Sequence, residues 1–391
     1  MSESKTVPDE CKKVISKRRL LKTFRELIAI DSESFHERDM ADYLTGAFRS
    51  LGAEVTEDNA GRKLMKGLPS GTEYRPAGNL LVRLRGTVKA DPVLFSAHMD
   101  TVSPGNGRHA VLKKSGKITS DGKTVLGADD AAALSVCLES VRAIVEKGIP
   151  HPDIEFLITS AEEPYAKGSR LADFSKIYSK TAYVFDLSGP VGKAATAAPG
   201  IISFTVTVYG KKAHAGFCPE NGIHAILAAA GGISKMRMGR TGRETTVNIG
   251  VIEGGTAANI VPDKCTITGE IRSLMQQNAE DEAEHLRKIF TKEAEKIGAK
   301  AEFTFREEFR AYHIPDTHPV AVRFRKACRD LGLSGELIKT LGGSDNNILV
   351  DHGIDGIVVA CGMNEAHTTK EYTTISELVK SAELALKLMT I

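Results

Sequence analysis

Three apolar runs that each end in acidic or imidazole side chains are the feature that most constrains the fold of this chain. They are DPVLFSAHMD at residues 91–100, DIEFLITSAEE at 153–163 and TAYVFDLSG at 181–189. Runs of this length and content predict buried β-strands that lead into loops. Helix-forming segments alternate with them, above all residues 129–148, which are rich in Ala and Leu. This alternation predicts an α/β fold with a mostly parallel sheet and helices on both faces.

The pattern changes near residue 200. Period-two alternation, typical of half-buried strands, is found at residues 201–210, 245–255, 264–273 and 299–309, and helical periodicity at about 221–236 and 278–297. The resulting order is strand, helix, strand, strand, helix, strand, which is that of a split βαβ or ferredoxin-like α+β domain. We therefore predict one α/β domain formed by residues 1–198 and 312–391, interrupted by a smaller domain at 199–311.

The remaining regular elements are predicted in the outer domain. They are helices at residues 8–30, 37–52 and 317–331 and from Ile375 onward, and strands at 79–86 and 356–361.

Composition excludes several classes of function. The 391 residues carry 52 basic and 50 acidic side chains, so the formal net charge is only +2. A balance of this kind gives no electrostatic case for binding nucleic acid or an anionic membrane. The first residues include no long apolar stretch, which predicts neither a signal peptide nor a membrane anchor. Six scattered cysteines without a CxxC pair predict reduced thiols and a cytoplasmic location.

Acidic and imidazole side chains follow the predicted strands where each strand ends. They are His98, Asp100, Asp129, Asp130, Glu162, Glu163, Asp186 and His367. Because the carboxyl ends of parallel strands meet at one edge of a sheet, we expect these side chains to lie close together. Like charges do not pack together without a counter-charge. A divalent cation supplies one, and the mixture of His, Asp and Glu suits zinc.

Each of these residues alone has an ordinary structural explanation. A single His at a strand end is more often hydrogen-bonded than metal-bound. The pair Asp129–Asp130 is typical of a helix N-terminus, where it would interact with the helix dipole. Glu162–Glu163 is typical of a solvated turn. Only their repetition at four strand ends of one predicted sheet favours a metal site.

The ordered motifs HMD, GADDAA, AEE, FD and EAHTT resemble those of the co-catalytic zinc peptidases, the family of peptidase T, carboxypeptidase G and the aminoacylases. The resemblance covers nearly the whole chain and is nearest to the peptidase T branch. It implies two Zn²⁺ ions per chain, with Co²⁺ or Mn²⁺ able to substitute. His98 and Asp186 would bind one ion. Glu163 and His367 would bind the other, and Asp129 would bridge the pair.

The resemblance also implies roles for the side chains that surround the ligands. Glu162 would be the general base, and Asp100 would orient the ring of His98. The peptide bond between Asp129 and Asp130 would be cis. The third ligand of the first ion is Asp186, and an Asp at this position resembles the aminopeptidases, whereas a Glu resembles the carboxypeptidases and deacylases.

The interrupting domain resembles the lid or dimerisation domain of the same family. His214 resembles a histidine that reaches the active site of the partner in a homodimer. Asn259 and Arg272 resemble residues that hold the substrate, since the Arg fork suits a carboxylate. The loop GGSDNN, with Gly343 and Ser344, resembles the loop that receives a substrate terminus.

These observations predict a cytoplasmic two-zinc aminopeptidase or tripeptidase that hydrolyses short peptides. Two alternatives stay open, namely an N-acyl-amino-acid deacylase of the same fold and a metal-containing peptide-binding protein without catalysis. The chain departs from the family pattern at EEPYAKG, where Pro164 and Tyr165 replace the usual step of an aliphatic residue and Gly. This departure concerns the preference for substrate rather than the metal ligands.

Overall fold

The structure of the protein is a computed structural model in which residues 14–69 and 73–390 are described. The helices are α1 (Lys17–Ile28), α2 (Arg38–Ser50), α3 (Ala60–Met65), α4 (Ala128–Lys147), α5 (Ala225–Lys235), α6 (Gln276–Glu295), α7 (Pro319–Leu331), α8 (Asp345–Asp351) and α9 (Ile375–Thr390). The strands are β1 (Glu54–Glu57), β2 (Leu80–Leu84), β3 (Val93–His98), β4 (Val111–Leu112), β5 (Lys117–Thr119), β6 (Ile154–Thr159), β7 (Thr181–Leu187), β8 (Lys193–Ala198), β9 (Gly200–Tyr209), β10 (Gly239–Arg240), β11 (Thr245–Gly254), β12 (Lys264–Ser273), β13 (Lys300–Phe309), β14 (Tyr312–His313), β15 (Glu336–Lys339), β16 (Asp355–Ala360) and β17 (Tyr372–Thr374).

Contacts group the chain into two units. The first consists of the residues up to Thr196 together with His313–Lys339 and the residues from Ser344 onward. The second consists of Ala197–Tyr312 and the short segment Thr340–Gly343. The chain therefore passes out of the first unit and back into it twice.

The first unit is built on a sheet in the order β1-β2-β6-β3-β7-β16-β8-β14, with β15 paired to β8. The four central strands β6, β3, β7 and β16 are parallel to one another. The outer strands β1, β2 and β8 are antiparallel to their neighbours. The α/β prediction with a mostly parallel sheet is confirmed, and the antiparallel strands at the edges are additions to it. A separate small sheet has the order β17-β5-β4.

Both faces of this sheet are covered by helices. Phe95 and Phe156 point to one face, where Phe48 of α2 packs on Phe156 with ring centroids 5.2 Å apart. Successive residues of a strand point to opposite faces. Accordingly, Leu94 and Leu157 belong to a different cluster, which includes Leu349 of α8. The central strands are therefore buried on both sides, which explains why they contain continuous apolar runs.

The predicted helices of this unit are found with shifted ends. The first begins at Lys17, where the side chain of Ser16 accepts a hydrogen bond from the amide of Arg19. The predicted start at residue 8 lies outside the described residues. Helix α8 was missed, because its seven residues are too few to show a helical period. Its Ser344 forms a capping box with Asn347, a signal that the Gly-rich surroundings concealed.

The second unit contains an antiparallel sheet in the order β10-β11-β12-β9-β13. Alternate residues of β9, including Phe204 and Val206, are buried in a core that also includes Leu286 and Phe290 of α6. A Cβ added at Gly232 of α5 would clash with the Phe290 ring, so the two helices pack closely. The predicted order of strands and helices is found, with the short edge strand β10 added.

No helix in the described part of the chain combines the length and apolarity that crossing a membrane requires. The cysteines at described positions, which are Cys137, Cys218, Cys265, Cys328 and Cys361, are all unpaired.

The core of the second unit gives a test of this packing. Phe290 is 1% exposed, so Phe290→Ala should lower the free energy of unfolding by about 3–5 kcal/mol, because it leaves a cavity between α6 and its neighbours. Phe305 on β13 is 56% exposed, and Phe305→Ala should change stability by less than about 0.5 kcal/mol. Urea unfolding followed by circular dichroism measures both. Equal losses for the two variants would contradict the assigned core.

Candidate metal centre

The four parallel strands bring their carboxyl ends to one edge of the sheet. His98 is the last residue of β3 and is paired in register with Thr159, the last residue of β6. Asp186 lies near the end of β7. Asp129 and Asp130 follow Gly127 at the start of α4, where the backbone angles of both are not yet helical. The side chains that the sequence places at strand ends therefore meet at this edge.

Asp129 lies between two imidazoles. Its Oδ1 is 3.0 Å from Nε2 of His98, and its Oδ2 is 3.2 Å from Nε2 of His367. Each imidazole has a second carboxylate partner. Asp186 Oδ1 is 3.9 Å from Nε2 of His98, and Glu163 Oε2 is 3.0 Å from Nε2 of His367. The structure thus brings together all five side chains that the sequence motifs indicate as ligands.

The spacing of these atoms fits a pair of divalent cations. Ligand atoms about 2.0 Å from a tetrahedral zinc ion are about 3.3 Å from one another. The nitrogen–oxygen distances in the cluster, 3.0–3.9 Å, bracket that value. In addition, Oε1 of Glu163 is buried and makes no hydrogen bond within the described part of the chain. Since a buried unpaired carboxylate oxygen is costly, its environment favours a cation beside it.

The electrostatics of the cluster indicate an excess of negative charge. Burial, together with neighbouring carboxylates, raises the pKa values of Asp186 and Glu162 well above the usual range. Burial alone would also raise the pKa of Asp129, but hydrogen bonds with His367 and His98 lower it. Hydrogen bonds with Asp129 and Glu163 raise the pKa of His367 to about 10. In this arrangement the carboxylates need protons or cations to offset their mutual repulsion.

Asp100 contacts both the histidine ring and the loop after β6. Nδ1 of His98 is 3.0 Å from the backbone carbonyl oxygen of Asp100 and 3.5 Å from its carboxylate Oδ1. The carboxylate accepts the amide hydrogens of Glu162, at 2.9 Å, and Glu163, at 3.2 Å. The nearest acceptor of the ring is thus the main chain of Asp100, while its side chain holds the neighbouring loop. Contacts of this kind fix the orientation of the ring.

Glu162 and Glu163 lie beyond the end of β6 and not on the strand itself. Strand β6 ends at Thr159, and Ala161 has a left-handed φ of 48°. The two glutamates therefore diverge because of a turn rather than the pleat of a strand. Glu163 faces His367, whereas a carboxylate oxygen of Glu162 lies within 4.8 Å of ligand atoms of His98 and Asp186.

The backbone around Asp129 has a support that sequence reasoning missed. The peptide bond between Asp129 and Asp130 is cis, as the family resemblance implies. Glu371, which is 1% exposed, accepts the amide hydrogens of Gly127 at 2.6 Å and of Asp129 at 2.9 Å. Asp130 accepts the amide hydrogen of His98 at 3.1 Å. The run of polar residues around Glu371 in the sequence resembles any surface loop, so it gave no signal of a buried carboxylate.

Four of the predicted substrate-binding residues lie in the second unit. His214 and Asn259 are on adjacent loops, where the amide of Ala215 donates to the carbonyl oxygen of Asn259 at 3.0 Å. Nδ1 of His214 accepts the amide hydrogens of Gly216 and Phe217, each at 3.1 Å. In the neutral ring the proton is therefore on Nε2, which faces away from these amides and remains a donor.

Arg272 and Gly343 form a second group in this unit. Nη1 of Arg272 donates to the carbonyl oxygen of Leu341 at 3.0 Å, two residues before Gly343. Its Nε and Nη2 donate to Glu270 at 2.7 and 3.0 Å, so the fork of the guanidinium already has a carboxylate partner. Ser344 belongs to the first unit, where it caps α8.

Two family models match adjacent parts of the chain. The model described as Peptidase family M28 matches residues 79–198, which include most of the metal cluster. The model described as Peptidase dimerisation domain matches residues 196–298, all but the first of which lie in the second unit.

Whole-length relatives cover both units. A tripeptidase of Staphylococcus aureus subsp. aureus Mu50 has a structure that matches with a TM-score of 0.90 at 34% identity, over 96% of this chain and 98% of that one. The aminopeptidase PepT of Bacillus cereus ATCC 10987 matches with a TM-score of 0.86 at 38% identity, over 96% and 99% of the two chains. The uncharacterized protein YqjE of Bacillus subtilis strain 168 is 38% identical over 96% of this chain and 99% of its own length. The sequence motifs, the fold and these relatives agree, and the chain belongs to the peptidase T-like metallopeptidase family.

Proposed function

We propose that this metallopeptidase is a two-zinc aminopeptidase or tripeptidase that removes residues from the N-terminus of short peptides. The observation that carries the proposal is the position of Asp129, with one carboxylate oxygen beside His98 and the other beside His367. A bridging carboxylate of this kind divides the ligands into two sets. His98 and Asp186 would hold one ion, Glu163 and His367 would hold the other, and Asp129 would contribute to both.

When bound, the two ions supply positive charge that polarises the scissile carbonyl and lowers the pKa of the attacking water. The chain supplies the base. Glu162 is assigned this role because it lies beside His98 and Asp186 and is not needed in either ligand set. Its carboxylate would take a proton from the water and then give it to the leaving amine. Asp100 holds the amide of Glu162 at 2.9 Å and so fixes the base relative to the ligands.

The substrate class follows from the ligand set and from the relatives. Asp186 is the aspartate that, by family resemblance, accompanies aminopeptidases rather than carboxypeptidases or deacylases. Two of the solved structures that match over whole chains, at 34% and 38% identity, are described as a tripeptidase and as the aminopeptidase PepT. We assign the binding of the peptide to His214, Asn259 and Arg272, with the loop that includes Gly343 and Ser344. Hydrolysis of tripeptides, compared with hydrolysis of N-acetylated amino acids by the same preparation, separates a peptidase from a deacylase.

The proposed homodimer would form through the second unit. Strand β10 pairs with Thr246 and Val247 of β11, and the part of β11 after Val247 has no strand partner on that side in the described chain. Val251 and Ile252 on this stretch are about half exposed. An exposed strand edge with apolar side chains favours association with another edge. The match of this unit to a peptidase dimerisation domain supports the same proposal.

The role of the base is tested by Glu162→Gln. This variant should bind metal as the wild type does and should lose about 10²–10⁴-fold in kcat, because the amide cannot accept the proton. Steady-state hydrolysis of a tripeptide measures kcat, and elemental analysis measures the metal. The matched control is Glu155→Gln, which changes a buried carboxylate at the opposite end of the same strand, β6. Unchanged kcat in Glu162→Gln would remove Glu162 from the mechanism.

The division of the ligands into two sets is tested by metal stoichiometry. Wild-type protein reconstituted with Zn²⁺ should bind two ions per chain, measured by inductively coupled plasma mass spectrometry after removal of free metal. His367→Ala should bind one, since the set formed by His98, Asp186 and Asp129 is intact. A single ion in the wild type, or an unchanged stoichiometry in His367→Ala, would contradict the bridging role of Asp129.

The proposed action of His214 across the dimer is tested by mixing two inactive chains. His214→Ala and Glu162→Gln homodimers should each have a low kcat with metals retained. If His214 serves the partner's site, a mixed dimer contains one site with both substitutions and one site with neither. Activity should therefore return on mixing. Confirmed exchange of subunits without recovery would show that His214 acts within its own chain or has no catalytic role.

A further inference from the structure

Glu37 is a buried carboxylate that none of the roles above uses. It lies just before α2, in the first unit, and is 0% exposed. Although Glu37 is the N-cap residue of α2, its side chain makes no capping hydrogen bond with the helix. The reason for burying a carboxylate at this point must therefore lie outside α2.

The partners of Glu37 are backbone amides. Its Oε1 accepts the amide hydrogen of Phe35 at 2.7 Å and that of Ala161 at 3.1 Å. The next two amides along the chain, those of Glu162 and Glu163, are held by the two carboxylate oxygens of Asp100. Three consecutive amides of the loop after β6 are thus held by two buried carboxylates.

This loop needs such support because its backbone is in a conformation that side chains disfavour. Ala161 has a φ of 48°, in the left-handed region that residues other than Gly seldom adopt. The turn at Ala161 directs Glu163 towards His367 and leaves Glu162 beside His98 and Asp186. A hydrogen bond to the amide of Ala161 stabilises the residue on which this divergence depends.

We propose that Glu37 is a positioning residue, whose Oε1 holds the amide of Ala161 and thereby sets Glu162 and Glu163 in their separate directions. The catalytic part of this proposal rests on the role proposed above for Glu162. The structural part does not rest on that role, because the hydrogen bond with Ala161 and the turn that it supports are present whether or not Glu162 is the base.

A comparison with Glu155 distinguishes Glu37 from an ordinary buried carboxylate. Both oxygens of Glu155 are used, since Oε1 accepts from Arg83 and Oε2 accepts from the amides of Tyr178 and Ser179. By contrast, Oε2 of Glu37 is buried and makes no hydrogen bond within the described residues. Burial and the nearby Asp100 raise the pKa of Glu37 to about 8. Near neutral pH a glutamine therefore resembles this side chain closely and keeps the accepting oxygen.

The first test measures kinetics. Glu37→Met removes the acceptor while it keeps much of the volume, and Glu37→Gln keeps the acceptor. We expect Glu37→Met to lower kcat on a tripeptide about tenfold to a hundredfold, with little change in KM and with the metal content of the wild type, because a small displacement of a catalytic group costs rate. Glu37→Gln should restore most of kcat. Glu155→Met, the matched control, should be less stable than the wild type yet turn over at the wild-type rate.

The second test does not depend on activity. Hydrogen–deuterium exchange of the metal-free protein, read by mass spectrometry on peptides that cover residues 159–168, reports directly on the amides of the loop. Glu37→Met should speed exchange in this segment, whereas Glu37→Gln should leave it slow. Glu155→Met should speed exchange near Tyr178 and Ser179 and leave the loop unchanged.

The outcomes separate this proposal from the proposed function. If the wild type cleaves no peptide, the proposed function fails and the exchange experiment still decides the role of Glu37. If the wild type cleaves peptides and Glu37→Met has the same kcat or the same loop exchange, the positioning role is wrong. A Glu37→Met variant that loses kcat only in proportion to its folded fraction would also overturn it.

Discussion

The placement of one carboxylate between two imidazoles is the constraint on which the rest of this structure depends. Asp129 contacts His98 through one oxygen and His367 through the other. Such a contact requires a carboxylate in a fixed position, and buried hydrogen-bonding groups of the protein fix it. Glu371 accepts the amide of Asp129, while Asp130 accepts the amide of His98. The buried negative charge that results lowers the stability of the folded protein. The same charge gives the site an affinity for cations.

The fold supplies this arrangement through the direction of its strands. Strands β6, β3, β7 and β16 are parallel, so polar residues that are distant in sequence share one edge. The apolar runs before them are buried on both faces, which keeps these ends rigid. The antiparallel sheet of the second unit, with α5 and α6 on it, has no such edge. The two hydrophobic patterns of the sequence therefore already distinguish the unit that carries the cluster of carboxylates and imidazoles from the unit that has exposed strand edges.

Much of the fold and the meeting of the strand-end side chains could be predicted, because both depend on local patterns. Continuous apolar runs indicated β3, β6 and β7, and His or acidic residues at their ends indicated the cluster. What could not be predicted depends on contacts between distant residues. Glu37 and Glu371 look like surface acids in the sequence, since their partners are amides far along the chain. The turn at Ala161 was also missed, because the residue with the left-handed φ is an Ala and not a Gly or an Asn, the residues that mark such positions.

The order in which the ligands occur along the chain has a consequence for biosynthesis. The positions from His98 to Asp186 leave the ribosome before the second unit is made, whereas His367 and Glu371 follow it. A nascent chain that has completed β7 therefore already has its excess of carboxylates, but neither the second imidazole nor the support for the amide of Asp129. Domains generally fold as units in the order of their synthesis. The first unit is an exception, because its cluster of carboxylates and imidazoles is complete only when its last segment returns to the sheet. A chain that terminates early therefore lacks both the imidazole of His367 and the carboxylate of Glu371 beside Asp129.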